Sequence, residues 1–170
     1  MLTVFPKKAI ITFKWIFSKG KGLENMLIAD KKDYRRGYKK HYQLYKRLKD
    51  ENSDVNSRRL LLVYSVECGL KYMLLDRWNE ENPVNILEGK DNRKKDILKS
   101  HNLEKILKEL GQQGNFKFPQ LETVHKDTVI SETYHQLYRY CIRTQEKQQE
   151  KEEKFEKSLS DVACWIEEGM

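Results

Sequence analysis

Cysteine is scarce in this sequence and widely scattered. Cys68, Cys141 and Cys164 are odd in number and far apart, with no Cys-x-x-Cys pair and no Cys/His cluster. This spacing indicates neither a disulfide framework nor a zinc site. All three fall inside apolar helical patterns, so they read as small buried hydrophobes in a reducing, cytoplasmic compartment. Long apolar runs are also missing. The stretch at residues 9–17 is interrupted by Lys14, is far short of a membrane span, and has no small-residue cleavage site after it. No segment carries a strand-forming signature. A Gly-rich phosphate loop, a Gly-x-Ser-x-Gly elbow, a His-Glu-x-x-His pair and a dinucleotide fingerprint are all absent. No metal and no cofactor are expected on these grounds. Acid–base chemistry would have to use carboxylates or the four histidines His41, His101, His125 and His135.

Charge is abundant instead. Charged residues make up 35% of the chain and hydrophobic ones 38%, with a mean hydropathy of −0.84. Aromatic residues at 11% are too many for a disordered chain. The balance fits amphipathic helices, each with one apolar stripe and a broad charged face. At 170 residues there is room for one domain with a core. Lys and Arg number 33 against 26 Asp and Glu, a net charge of +7. Such a surface favours phosphates or an acidic protein partner, and it equally suits a soluble protein with a charged exterior. Residues 1–25 form a basic and apolar extension. It could pack on the domain, lie at an interface, or precede a start at Met26.

From residue 26 onward the pattern is helical. Leu27, Tyr34, Tyr38, Tyr42, Tyr45 and Leu48 draw one face of a first helix, read as core. Ser53 or Asp54 can cap the next helix. Residues 55–78 are apolar on nearly every side, which predicts a central helix surrounded by the others. Gly69 within it would permit a close crossing, Glu67 and Lys71 would pair on its surface, and Asn82-Pro83 would stop it. Residues 83–95 read as a loop. A third helix spans Ile97 to Leu110, with Gly111 as its cap. A fourth runs continuously from Val129 to Ile142, and a last apolar stripe runs from Phe155 to Ile166. The charges at 146–157 read as a solvated face.

Two segments carry a resemblance. Residues 62–75 place Glu67 and Lys71 in an apolar helix, and Ser100-His101-Asn102-Leu103 with Ile106 and Leu107 follow after a loop. This resembles the HEPN superfamily, in which a central helix of the form hydrophobic-x-x-Glu-x-x-x-Lys precedes a His-polar-Leu-x-x-Leu helix start. Residues 134–143 are similar to the aromatic-and-arginine helix that comes next in many members. The resemblance covers residues 26–168 and implies an all-α, up-and-down bundle of four to five helices, frequently a homodimer. Many members are metal-independent endoribonucleases of prokaryotic toxin–antitoxin, antiviral defence or CRISPR systems. Others are binding modules without chemistry, often beside a nucleotidyltransferase.

Active members carry Arg-x(4–6)-His on the last core helix, and this chain departs from that pattern. Arg139 and Arg143 lie on the corresponding helix, but no histidine follows either. The spacing occurs only where Arg35 and Arg36 precede His41, on the first helix. The expectation is therefore a binding module for RNA, a nucleotide or a protein partner such as an antitoxin. Arg35, Arg36, Lys39, Lys40 and His41 are its candidate nucleic-acid contacts. An alternative is an unorthodox ribonuclease built on Arg139, Arg143, His135 and His101, with His135 and Arg139 one turn apart on a shared face. A second alternative is a structural subunit docking through the apolar residues at 13–17.

Overall fold

The computed structural model describes residues 28–170. The expected N-terminal extension, its docking segment, Met26 at the expected start of the domain, and Leu27 of the first stripe lie outside the described residues. Helix α1 (Lys31–Asp50) begins where the Asp30 carboxylate accepts from the Asp33 backbone N–H while Asp33 reaches back to Asp30, a reciprocal cap. Tyr38, Tyr42 and Tyr45 are buried along it, as their spacing predicts. Asn52 then adopts a left-handed backbone, φ +49°, and its neighbour's N–H returns to the Leu48 carbonyl. Asp54 caps helix α2 (Val55–Arg77) through the Ser57 N–H. The two helices lie antiparallel as a hairpin.

Helix α2 is the buried centre that its composition predicts. Leu62, Val66, Leu70, Leu74 and Leu75 are fully enclosed, and α2 packs against α1 and three later helices. It ends within one residue of the expected bound, but by a different signal. Asn79 takes φ +54° and the Glu80 N–H bonds the Leu75 carbonyl, so a left-handed asparagine stops the helix before Pro83 is reached. Helix α7 (Gln149–Glu168) lies along both α1 and α2. The Tyr38 hydroxyl donates to the Ala163 carbonyl at 2.7 Å, and Ser65 donates to the Tyr38 carbonyl at 3.1 Å. At the crossing, a methyl group added at Gly69 would sit 2.8 Å from both Tyr38 and Ile166.

Between α2 and α7 the chain differs from its apolar pattern. The expected loop at 83–95 contains helix α3 (Val84–Glu88) and the start of α4 (Asn92–Leu98). The expected third helix is two, α4 and α5 (Leu103–Glu109), because Asn102 caps a fresh start through the Lys105 N–H. Gly111, at φ +77°, closes α5 as predicted. The expected fourth helix is also divided. Strands β1 (Leu121–Glu122) and β2 (Thr128–Val129) pair antiparallel, Leu121 opposite Val129, so the described residues are mostly helical rather than wholly so. Helix α6 is only Tyr134–Arg139. Thr133 Oγ1 accepts from the Ile130 N–H and Ser131 turns to α5. Those side chains compete with the helical backbone and delay the helix.

Two further corrections concern burial. Cys68 is half-buried, and Cys141 and Cys164 are exposed. Cys141 follows the end of α6 at φ +48° and is carried outward by the turn. The charge run at 146–157 is not simply a solvated face. Glu156 is buried, with its carboxylate 2.9 Å from Arg59 Nε and 3.0 Å from the Tyr45 hydroxyl, and Glu152 also accepts from Arg59. Burial would push the Glu156 carboxyl up, but the Arg59 hydrogen bond and the Arg59 and Arg58 charges bring it below its ordinary value.

Gly69→Ala tests the crossing. Alanine gains up to about 1 kcal/mol of helix propensity, yet the added methyl must displace Tyr38 and Ile166 and costs about 1–3 kcal/mol. Urea unfolding should show a net loss of stability, and an equal or higher midpoint would show that the helices do not meet closely there.

Candidate functional site

On a helix apolar on nearly all sides, a polar stripe is conspicuous. Tyr64, Glu67 and Lys71 are three and four residues apart on α2, and so share one face. That face meets the start of α5 and one side of α6. The Glu67 carboxylate accepts from Lys71 Nζ at 2.7 Å, and its two oxygens lie 3.0 and 3.1 Å from His101 Nδ1. The Glu67 and Lys71 side chains are nearly buried, while that of His101 is 52% exposed. The expected pair on the surface of α2 is thus real but internal. Burial would raise the Glu67 carboxyl, but hydrogen bonds and charge from His101 and Lys71 outweigh it and hold the group at about 2.

His101 reaches Glu67 because of the break between α4 and α5. Ser100 Oγ accepts from the Asn102 N–H at 3.0 Å, and Asn102, itself extended, caps α5 just after His101. Ser131 Oγ lies 3.2 Å from Asn102 Oδ1 and 3.0 Å from Glu104 Oε2, tying this cap to the segment that leads into α6. On α6, His135 is 9% exposed and its ring centroid lies 4.9 Å from that of His101. Burial, followed by the neighbouring His101, lowers the His135 imidazole below its ordinary value. His135 therefore stays neutral to lower pH than a free histidine.

Arg139 follows one turn later. Its Nε–H donates to the Tyr64 hydroxyl at 2.9 Å, and the guanidinium lies 5.6 Å from the centre of the same ring. That hydrogen bond favours the charged guanidinium, as does the nearby Tyr140 hydroxyl. His41 comes from α1, with its ring 6.2 Å from that of Tyr64. A row of polar groups thus crosses three helices, from His41 through Tyr64 to Arg139, beside the carboxylate-backed pair of imidazoles.

The structure brings together His101, His135 and Arg139 of the predicted catalytic set, but not Arg143. That residue lies beyond the end of α6, where its carbonyl accepts from the Val124 N–H. His135 and Arg139 follow each other along α6 as predicted, but His135 turns in to His101 while Arg139 turns to Tyr64. Of the five predicted nucleic-acid contacts, His41 joins the cluster. Arg35 lies over Tyr72, Arg36 pairs with Asp33, and Lys39 and Lys40 are exposed. Offsets of five and six residues place both arginines roughly a third of a turn or more from His41 around the helix. His125 is exposed, away from the cluster on the β1–β2 turn. The sequence reading missed Tyr64 as a polar anchor and Glu67 as the partner of His101. The signal for the first was its spacing to Glu67.

Compared with known proteins, the chain matches no family model, no curated protein and no solved structure.

The low value of Glu67 fixes a pH dependence. A folded carboxyl at about 2, against 4.5 for the ordinary group, contributes its full stability above pH 4.5 and loses it as the pH falls toward 2. Across that window the shift corresponds to on the order of 3 kcal/mol. Glu67→Gln should lose a comparable amount at neutral pH, because Lys71 stays buried without a counter-charge. It should also flatten the acid limb of a stability–pH curve. An unaltered limb in that variant would contradict the pairing.

Proposed function

We propose that the chain binds RNA and cleaves it without a metal, using the paired imidazoles as acid and base. The observation that carries this reading is the inequality of two touching histidines. His135 is enclosed and held neutral, while His101 is exposed and backed by an ionised carboxylate. A neutral imidazole accepts a proton, and the imidazole hydrogen-bonded to Glu67 is oriented to deliver one. In the proposed reaction His135 takes the proton of the RNA 2′-hydroxyl. The 2′-oxygen forms its bond to phosphorus, the bond to the 5′-oxygen breaks, and His101 protonates that leaving oxygen. The products are a 2′,3′-cyclic phosphate and a free 5′-hydroxyl. Arg139, held by Tyr64, lies against the non-bridging oxygens as their charge develops. Glu67 positions His101 by accepting from Nδ1, which leaves Nε2 for the substrate.

The similarity to the HEPN superfamily at residues 62–75, 100–107 and 134–143 supports this reading, since metal-independent RNA cleavage is common there. The histidine supply differs: here one histidine comes from the start of α5 and one from α6. On the same resemblance, the protein would serve a prokaryotic defence or toxin–antitoxin system, as a homodimer or beside an antitoxin or nucleotidyltransferase. A second reading, a binding module without chemistry, is favoured by the missing Arg-x(4–6)-His and by the near-complete burial of His135.

Incubation of the purified protein with single-stranded RNA in excess chelator separates the two. Cleavage to cyclic-phosphate ends is expected, reduced about 100-fold or more by His101→Ala or His135→Ala and less by Arg139→Ala. The acidic limb of kcat/KM should fall below pH 6.5, because the base is a histidine with a lowered value. RNA left intact by a protein that still binds it would select the binding module.

A further inference from the structure

Beyond Arg139, at the end of α6, the chain exposes apolar side chains that the proposed chemistry does not use. Helix α6 ends in a tight reversal. Cys141 takes a left-handed backbone, its N–H returns to the Tyr138 carbonyl, and the Ile142 N–H returns to the Leu137 carbonyl. The turn leaves Tyr140 66% exposed, the most exposed of the large hydrophobic residues described, with Ile142 at 37%. The 142–144 segment is held against the β1–β2 turn, where the Val124 N–H bonds the Arg143 carbonyl and Thr123 pairs with Thr144. Val124, 49% exposed, lies on the turn that this segment pairs with. Cations rim these side chains: Arg139 and Arg143 on either side of the reversal and Lys126 on the turn, all exposed. The nearby Asp127 is directed to Thr123, whose hydroxyl lies 3.4 Å from it.

We propose that Tyr140 is a stacking platform for an unpaired base of single-stranded RNA whose adjacent phosphate rests on Arg139. This rests on the RNA reading above and adds its substrate class. An exposed aromatic ring between arginines matches the alternation of base and phosphate along a single strand. A duplex would present its phosphates but keep its base faces stacked away. Three partly exposed apolar side chains are too little surface for a stable protein interface, and the rim of like charge would oppose a second copy of this chain. The platform adjoins the candidate site through Arg139, the residue before Tyr140, whose guanidinium lies over Tyr64. A base held on Tyr140 would place its neighbouring phosphate on Arg139, which the candidate site shares.

The test is fluorescence anisotropy with a short single-stranded RNA and a hairpin duplex of matched composition. Both carry 2′-O-methyl groups so that neither can be cleaved. Tyr140→Ala should weaken single-strand binding about tenfold, the scale of one lost base stack, and leave duplex binding unchanged. Tyr140→Phe should retain the affinity. Equal losses for both probes, or no loss in Tyr140→Ala while Arg139→Ala weakens binding, would overturn the platform and leave the RNA site standing. Failure of the wild-type protein to bind either probe would overturn the RNA reading itself. Unchanged RNA affinity in Tyr140→Ala, with loss of a self-association visible by sedimentation, would reassign the patch to a protein contact.

Discussion

A helix buried on nearly all sides cannot carry an unpaired charge, and α2 carries four charged side chains within its enclosed length, of which Arg58 pairs with Glu156 on α7. Arg59, Glu67 and Lys71 each need a partner, because an isolated charge in that setting would cost several kcal/mol. Arg59 finds Glu152 and Glu156 on α7. Lys71 finds Glu67 one turn back on its own helix, and the remaining capacity of Glu67 is met by His101 from the start of α5. These pairings are directional in a way that leucine packing is not. The first aligns α7 along the early part of α2. The second holds the start of α5 against its later part, with α6 beside it through Ser131. The candidate site is thus a consequence of satisfying Glu67, and its histidines stand together because a buried carboxylate required one of them.

Much of this architecture was legible along the chain. The tyrosine spacing on α1, the enclosed character of α2, the tight crossing at Gly69 and the cap at Gly111 all follow from local periodicity and backbone preference. The losses occur where side-chain hydrogen bonds compete with the helix. Asn79 ends α2 ahead of the proline, Asn102 restarts a helix that apolar spacing runs through, and Thr133 with Ser131 postpones α6 until Tyr134. Much of the apolar stripe is buried as read, since Val129, Tyr134, Leu137 and Tyr138 are enclosed, but Ile130, Cys141 and Ile142 of the same stripe are exposed. What failed was the inference that one buried stripe means one helix. Leu121 opposite Val129 shows how a short pair of strands can bury part of the same stripe.

The site was half legible for a different reason. His101, His135 and Arg139 were visible as residue types at helix starts or on one helix, which is local information. Their meeting is not local. Glu67 and His101 are separated by 34 positions, and no periodicity links them. Arg143 illustrates the converse. It shares its residue type and its apparent helix with Arg139, but α6 stops at Arg139 itself, and four residues beyond that end the chain has left the face that carries the histidines. Where a helix terminates decides which of two similar arginines can serve the site.

The same boundary sorts the tyrosines. Tyr38, Tyr42 and Tyr45 repeat at helical spacing inside α1, and Tyr134 and Tyr138 inside α6, and all five are enclosed. Tyr140 sits two residues after Tyr138, an offset of roughly 200° around a helix, so it must face away from whatever Tyr138 is buried against. Nothing later in the chain returns to cover it, because the left-handed Cys141 directs the next residues toward the β1–β2 turn instead. Exposure of that ring is therefore built into the way α6 ends. Among the described residues it is the most exposed of the large hydrophobic side chains. The arginine before it and the arginine three residues after it supply the charge that a nucleic-acid strand would require.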